Sequence, residues 1–106
     1  MSATEWSASE KKIARRVFEA ALERELAEVM AEFKDKAARA ETPEDMWAIR
    51  QYLERAQREI DSKYDYRYSQ LDLVFGRLLH EKRIKEEELV GLAEEKLNRI
   101  RRVASL

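Results

Sequence analysis

Residues that interrupt or cross-link a chain are scarce in this sequence: its 106 residues include Gly 2, Pro 1 and Cys 0. A β-rich protein needs many turns, and so few glycines and prolines could not form them. Without cysteine there is no disulfide framework and no thiol chemistry, which fits a reducing compartment. No stretch approaches the roughly 20 apolar residues of a membrane span, and no apolar run resembles a signal peptide. We therefore expect a cytoplasmic protein without a membrane span.

A net charge of either sign is also missing, although charged residues are abundant. They make up 41% of the chain, and Lys+Arg 21 against Asp+Glu 22 leave a formal net charge of -1. This balance gives no general attraction to nucleic acid, membrane or an acidic partner, so we expect no nucleic-acid partner. A hydrophobic content of 44% excludes a disordered chain. The composition is typical of long helices, and the length predicts one all-α domain over residues 1–106.

The first predicted helix covers residues 8–39. Ser7 and Glu10 have the spacing of a capping box, in which each side chain accepts from a backbone N–H at the helix start. An apolar stripe follows at steps of three and four, formed by Phe18, Leu22, Leu26, Val29 and Phe33.

The second predicted helix covers residues 43–80 and is antiparallel to the first. In the stretch ETPED, Thr42 suits the N-cap, Pro43 the first helical position and Asp45 the positive end of the helix dipole. Because the connection is short, the two helices should lie side by side. The predicted stripe of the second helix comprises Ile49, Leu53, Ala56, Ile60, Tyr64, Tyr68, Leu71, Phe75 and Leu78.

The stretch EIDSKYDYR at 59–67 allows two other interpretations, both of which we set aside. A strand would need turn residues beside it, and the flanks contain no Gly or Pro. A calcium loop would need an oxygen ligand where Lys63 stands and a glycine where Tyr66 stands. We predict helix, with a kink allowed near Ser62.

A C-terminal helix is predicted over 85–104, packed on the end of the second helix as a small head. Three consecutive glutamates at 86–88 suit its first turn, and arginines near the terminus suit its negative end. Gly76 lies inside the second helix and is expected to allow close packing there. A long rod with one short partner cannot bury its stripe alone, so we expect an isologous homodimer with a helical stalk.

Catalytic signals are missing. No phosphate loop, nucleophile motif or metal-ligand spacing is present, and we expect no enzyme activity and no cofactor. His80 is the one histidine, and we interpret it as an exposed residue near a helix C-terminus. The most conspicuous binding candidate is Trp47, because Trp and Arg dominate interaction hot spots. A Trp buried in the dimer seam is the alternative for this residue.

The motifs together resemble the fluorescence recovery protein family of cyanobacteria. The matching segments are WSASE, EREL, the Trp of EDMW, EIDSKYDYR, VFGRLL, EEL with GLAEEK, and a basic terminus. The resemblance implies an all-α dimer that is not an enzyme. Such a protein binds photoactivated orange carotenoid protein and accelerates its return to the orange form.

The resemblance also implies a partner-binding patch, and this chain departs from it. Trp47 is kept, but Arg50 stands in the place of the family's His, Gln51 in that of its Asp and Gln57 in that of its Arg. In the head, the contact positions fall on Leu73, Phe75 and Arg99. The changed charges leave open a homodimeric adaptor with a different protein client in an organism that lacks the carotenoid protein.

The remaining residues of the second helix are assigned to the stalk and its dimer contact. Tyr64 and Tyr68 are expected to fill a wide seam, so Tyr64→Ala should lower the melting temperature of the dimer. Spaced charge pairs are expected along the helix or across the dimer. The stalk residues in this prediction are Leu53, Ile60, Asp61, Lys63, Tyr64, Asp65, Arg67 and Tyr68.

Overall fold

The computed structural model describes residues 5–106, and these residues form helices and connections without any β-strand. The elements are α1 Ala8–Arg39, α2 Pro43–Lys63, α3 Leu71–His80, a 3-10 turn Glu86–Leu89 and α4 Glu94–Ala104. The all-α prediction is confirmed, and principal extents of 58 × 22 × 19 Å describe an elongated molecule. None of the helices in this range has the length and apolarity needed to cross a membrane.

Both predicted helix starts are confirmed as capping boxes. The Glu10 N–H donates to Ser7 Oγ at 3.2 Å, and the Ser7 N–H donates to Glu10 Oε1 at 2.9 Å. At α2 the Asp45 N–H donates to Thr42 Oγ1 at 3.2 Å, and the Thr42 N–H donates to Asp45 Oδ2 at 3.1 Å. Pro43 takes the first turn, where its missing N–H costs nothing.

The two helices pack antiparallel, as two contacts far apart in the structure establish. The Lys36 ammonium lies 5.1 Å from the centroid of the Tyr52 ring. Near the other end, Lys63 Nζ lies 2.7 Å from Glu25 Oε2. The start of α2 therefore lies beside the end of α1.

The prediction of one helix over 43–80 is wrong. α2 ends at Lys63, and α3 begins only at Leu71. In the segment between them, the Tyr64 ring centroid lies 5.4 Å from that of Phe18 and the Tyr66 centroid 4.8 Å, both edge-to-face. The helix propensity of tyrosine is modest, whereas a packed pair of aromatic rings stabilises the fold. The chain therefore leaves the helix and packs its tyrosines back on α1.

The tyrosines assigned to the dimer seam make contacts within their own chain. Tyr68 lies with its ring centroid 5.9 Å from that of Trp6, whose indole N–H donates to the Tyr68 carbonyl oxygen at 3.2 Å. Tyr64 and Tyr68 thus fill space within one chain, between the 64–70 segment and the start of α1. The prediction that Tyr64→Ala lowers the melting temperature now rests on its contact with Phe18.

The C-terminal helix also starts later than the predicted residue 85. The glutamates form the 3-10 turn, and α4 begins at Glu94. Between them Gly91 has a φ of 109°, and a Cβ there would lie 2.5 Å from Ile13 Cδ1. Leu89 and Leu92 are both buried in the core, and the tight approach of Gly91 to Ile13 lies between them.

The buried residues all lie in one part of the molecule. The cluster comprises Trp6, Ala14, Val17, Phe18, Ala21, Leu71, Val74, Phe75, Leu78, Ile84, Leu89, Leu92 and Ile100. We call residues 5–25 and 60–106 the core half, and residues 26–59 the hairpin. No residue of the hairpin is buried.

Gly76 allows α3 and α4 to approach closely, as the sequence predicts. A Cβ at this position would lie 2.4 Å from both Cβ and Cγ1 of Val103 and 3.1 Å from the Ile100 carbonyl oxygen. Contact at this distance needs a residue without a side chain. The glycine thus anchors α4 to the core.

Candidate partner-binding surfaces

Trp47 lies in the early turns of α2 and is exposed to solvent. Its relative exposure is 57%, and Met46 beside it is 53% exposed. Its position is fixed by the capped start of α2, where Asp45 accepts from the Glu41 and Thr42 backbone N–H groups. These hydrogen bonds lower the pKa of Asp45. A large aromatic side chain is therefore held on a well-defined helix end and left uncovered by its own chain.

The three positions that depart from the family pattern share that side of α2. At about 100° per residue, Trp47, Arg50, Gln51 and Gln57 fall within a sector of roughly 120°. All four are exposed. Arg50 Nε donates to Glu54 Oε1 at 3.0 Å, so its charge is shared with an acid one turn away. The face offers an aromatic ring, two amides and an ion pair to a partner.

A second candidate surface is an open groove of about 350 Å³ in the core half, where α3 meets α4. Leu73 is 54% exposed at its rim. Arg99 Nε donates to Asp72 Oδ2 at 2.7 Å, which fixes the guanidinium across the groove. The lining residues are Ser69, Asp72, Leu73, Arg99, Arg102, Val103 and Leu106. Apolar surface beside a positioned arginine suits a protein contact.

Phe75 does not belong to this groove. The sequence prediction places it among the contact residues, but its exposure is 0%. Residues 73 and 75 lie about 200° apart around a helix, so they face opposite ways. Phe75 is a core residue that supports the groove from below.

A buried ionic cluster joins four elements of the core half. The Lys63 side chain is 1% exposed, and its Nζ donates to Glu25 Oε1 at 2.9 Å and to Glu81 Oε1 at 2.8 Å. The Tyr64 hydroxyl donates to Glu25 Oε1 at 2.8 Å, and Arg83 Nε lies 3.2 Å from the same oxygen. Side chains of α1, α2, the 64–70 segment and the loop after α3 therefore meet at one point.

The cluster shifts the acidity of its members. Burial works to raise the pKa of the Glu81 carboxyl, but hydrogen bonds from Lys63, Arg77 and Arg83 outweigh it and lower the pKa to about 2. Burial raises the pKa of the Tyr64 hydroxyl, and the bond it donates to the Glu25 carboxylate raises it further. The Glu81 carboxylate therefore stays charged at neutral pH, and the Tyr64 hydroxyl stays protonated.

Sequence reasoning missed this cluster because it assigned the charges of EIDSKYDYR to the helix surface. The available signal was Glu25, which continues the buried row of Ala14, Phe18 and Ala21 at helical spacing. An acid in such a row requires a buried cation, and Lys63 supplies it.

The other residues predicted for the stalk have separate roles. Leu53 is half-buried and Ile60 is buried against α1, whereas Asp61 is exposed. Arg67 Nη2 and Asp65 Oδ2 lie 2.5 Å apart within the 64–70 segment. Asp65 and Arg67 therefore pair with each other in a connection between helices.

His80 and the acidic residues form no catalytic arrangement in the part of the chain described. His80 is exposed, and its Nδ1 lies 2.8 Å from the Ala104 carbonyl oxygen. Within residues 5–106 no group of three or more His, Cys, Asp or Glu side chains is placed to hold a metal ion. The surfaces described above are suited to protein contact.

Comparisons with known proteins agree on a single family. The model of the photoprotection regulator fluorescence recovery protein family matches residues 6–104. The fluorescence recovery protein of Synechocystis is 36% identical over 101 residues, which cover 95% of this chain and 93% of that protein. The solved structure of the Fremyella diplosiphon protein has a TM-score of 0.92 at 34% identity, covering 96% of this chain and 100% of that one. The Synechocystis structure has a TM-score of 0.91 at 35% identity, with the same coverage. This chain belongs to the fluorescence recovery protein family of photoprotection regulators.

Proposed function

We propose that this chain is a non-enzymatic regulatory binding protein that binds photoactivated orange carotenoid protein and accelerates its return to the orange form. The observation that carries the proposal is the family match over residues 6–104, which includes the exposed Trp47. A binding protein accelerates a conformational change when it binds the barrier region more tightly than the starting state. The face around Trp47 and the groove at Leu73 are the contacts we assign to that binding.

We further propose that the working form is a homodimer in which the hairpins make the stalk and each core half makes a head. The hairpin exposes Leu26 by 48%, Met30 by 54% and Met46 by 53%. An open groove of about 450 Å³ between α1 and α2 has Val29 and Ala56 in its lining, together with charged side chains such as Glu28 and Arg55. The exposed apolar side chains favour another helical pair against the two helices of the hairpin.

The dimer has a direct test in Met30→Glu. A carboxylate in the proposed stalk loses its hydration without gaining a partner, so the mass in sedimentation velocity should fall from two chains to one. Lys12→Glu, at an exposed position of α1 in the core half, is the control and should leave the mass unchanged. A Met30→Glu protein that keeps the mass of two chains would contradict this placement of the interface.

The function is tested by the red-to-orange relaxation of photoactivated orange carotenoid protein in the dark. Adding this protein should accelerate the relaxation, and Trp47→Ala should reduce the acceleration by about tenfold or more, the loss expected of a hot-spot residue. Val90→Ala removes another exposed apolar side chain, this one from the core half, and should change little. A Trp47→Ala protein as active as the parent would remove Trp47 from the contact.

A second candidate, an adaptor for a different client, is favoured by the chemistry around Trp47. Gln51 and Gln57 carry no charge, and Arg50 is partly neutralised by Glu54. A client that recognised charges there would bind weakly. If the folded protein leaves the relaxation unchanged while Gln51→Asp/Gln57→Arg accelerates it, the scaffold is retained and the client has been replaced.

A further inference from the structure

A basic face covers the outward side of the first turns of α1. It comprises Lys11, Lys12, Arg15 and Arg16, all exposed, which we call the basic face. Arg15 pairs with Glu19 at 3.2 Å, while Arg16 donates to the Glu88 backbone carbonyl oxygen at 3.2 Å. Among residues 5–106, no carboxylate lies within ion-pair distance of the other members. Positive charge is therefore concentrated here on a chain whose net charge is -1.

One member of the basic face, Lys11, stands in the first turn of α1, the unfavourable end of the helix for a positive charge. The start of a helix carries partial positive charge, so acids stabilise it and bases destabilise it. α2 follows this rule with Glu44 and Asp45 in its first turn. In α1 the first-turn acid, Glu10, points inward, where it accepts from the Ala93 N–H at 2.8 Å and lies 3.3 Å from Lys96 Nζ. The first turn of α1 therefore exposes a cation and no acid.

Two members of the basic face are held against aromatic rings. Lys11 Nζ lies 5.1 Å from the centroid of Tyr68, and Arg15 Cζ lies 4.8 Å from that of Tyr66. Such stacking contributes a modest cation–π attraction and restricts the long side chains before any partner arrives. A partner that binds ordered side chains loses less conformational entropy. The charge is thus preorganised for a contact.

We propose that the basic face docks an acidic surface of the protein client and steers its approach. This inference rests on the proposed function, since it assigns the steering to the same client. Complementary charge at the rim of an interface acts mainly on the association rate, with little effect on dissociation. The basic face therefore determines how fast the client is captured, and the surfaces at Trp47 and Leu73 determine how long it stays.

An acidic protein fits this surface better than a nucleic acid. Proteins that bind single strands offer free aromatic faces for base stacking, whereas Tyr66 and Tyr68 here lie against a cation and against each other, with centroids 5.7 Å apart. The outward side of α1 continues with exposed Glu19 and Glu23. These acids would repel a phosphate backbone that followed the helix.

The test is the association rate with photoactivated orange carotenoid protein, measured by stopped flow across ionic strengths. Lys11→Gln/Lys12→Gln/Arg16→Gln should slow association about tenfold at low salt and flatten its salt dependence. The dissociation rate should change by less than about twofold. Lys34→Gln/Lys82→Gln/Lys85→Gln removes the same formal charge from exposed sites elsewhere and should keep nearly the parent rate. Thermal melts of both variants exclude misfolding as the cause of any difference.

The other outcomes separate the two proposals. If the parent protein does not bind the carotenoid protein, the proposed function fails. If the parent binds and both triple variants associate alike, the client proposal stands and the steering assignment is overturned. A mixed-sequence DNA duplex is the second probe, and tight, steeply salt-dependent binding that only the basic-face variant loses would assign the surface to nucleic acid instead.

Discussion

The core half and the hairpin differ in how much of their apolar surface a single chain buries. The core half buries a continuous cluster from Trp6 to Ile100 and joins its elements with the ionic contacts of Lys63. The hairpin has a comparable apolar stripe but buries none of its residues. α1 runs through both halves as one helix of 32 residues, so helix formation does not explain the difference. What differs is the presence of partner elements, and in the proposed homodimer a second chain would complete the hairpin.

The largest expected effect comes from the core half. Phe75→Ala removes a side chain that is 0% exposed and should lower the free energy of unfolding by about 3–5 kcal/mol. Denaturant midpoints measure the change. Ile49→Ala changes a half-buried hairpin position. At low protein concentration it should lower the free energy of unfolding clearly less than Phe75→Ala does. Equal losses at the two positions would contradict the division into a complete and an incomplete half.

The next largest effect is expected for Gly76→Ala. It should lower the free energy of unfolding by about 1–3 kcal/mol, because the new methyl group overpacks against α4. The added methyl group would lie 2.4 Å from Val103. The matched double variant Gly76→Ala/Val103→Ala creates room for that methyl group and should regain part of the loss. A single variant at least as stable as the parent would mean that α4 can move away from α3 at little cost.

Acid should weaken the ionic cluster of the core half. The folded-state pKa of Glu81 is about 2 against an ordinary 4.5, so its contribution is complete above pH 4.5 and is lost as the pH falls toward 2. Unfolding free energies measured across this window should fall with pH. Glu81→Gln should be less stable at neutral pH and should show a shallower fall. Parallel pH profiles for the two proteins would exclude Glu81 as a source of the dependence.

The smallest effect is expected on the hairpin surface. Arg50 and Glu54 form an exposed pair one turn apart, a geometry worth about 0.3–0.5 kcal/mol. Arg50→Ala should therefore leave the thermal midpoint almost unchanged, as should Arg39→Ala, which breaks a pair of the same spacing with Asp35. A much larger loss at Arg50 alone would indicate that this residue lies in the dimer contact.

The helix starts were readable from the sequence because capping depends on neighbouring residues. Ser7 with Glu10 and Thr42 with Asp45 identify the beginnings of α1 and α2 without any tertiary information. Trp47 and Leu73 could likewise be singled out, the first by residue type and both by resemblance.

The end of α2 at Lys63 could not be predicted from the sequence, because the residues that cause it are distant in the chain. The apolar stripe is continuous at helical spacing across 60–71, and only the positions of Phe18 and Glu25 on α1 make a turn more favourable than a straight helix. Tertiary contact overrides local pattern there. Phe75 is assigned to a contact surface by the resemblance, whereas its place in the predicted apolar stripe agrees with its burial in the core.

The most direct measurement is amide hydrogen exchange by mass spectrometry at two protein concentrations, below and above the point of dimer formation. Protection in residues 26–59 should rise with concentration, while protection of buried segments such as α3 should stay the same. Hairpin amides that are as strongly protected in the dilute sample would show that a single chain completes this part of the fold. That result would contradict the assignment of the hairpin to a second chain.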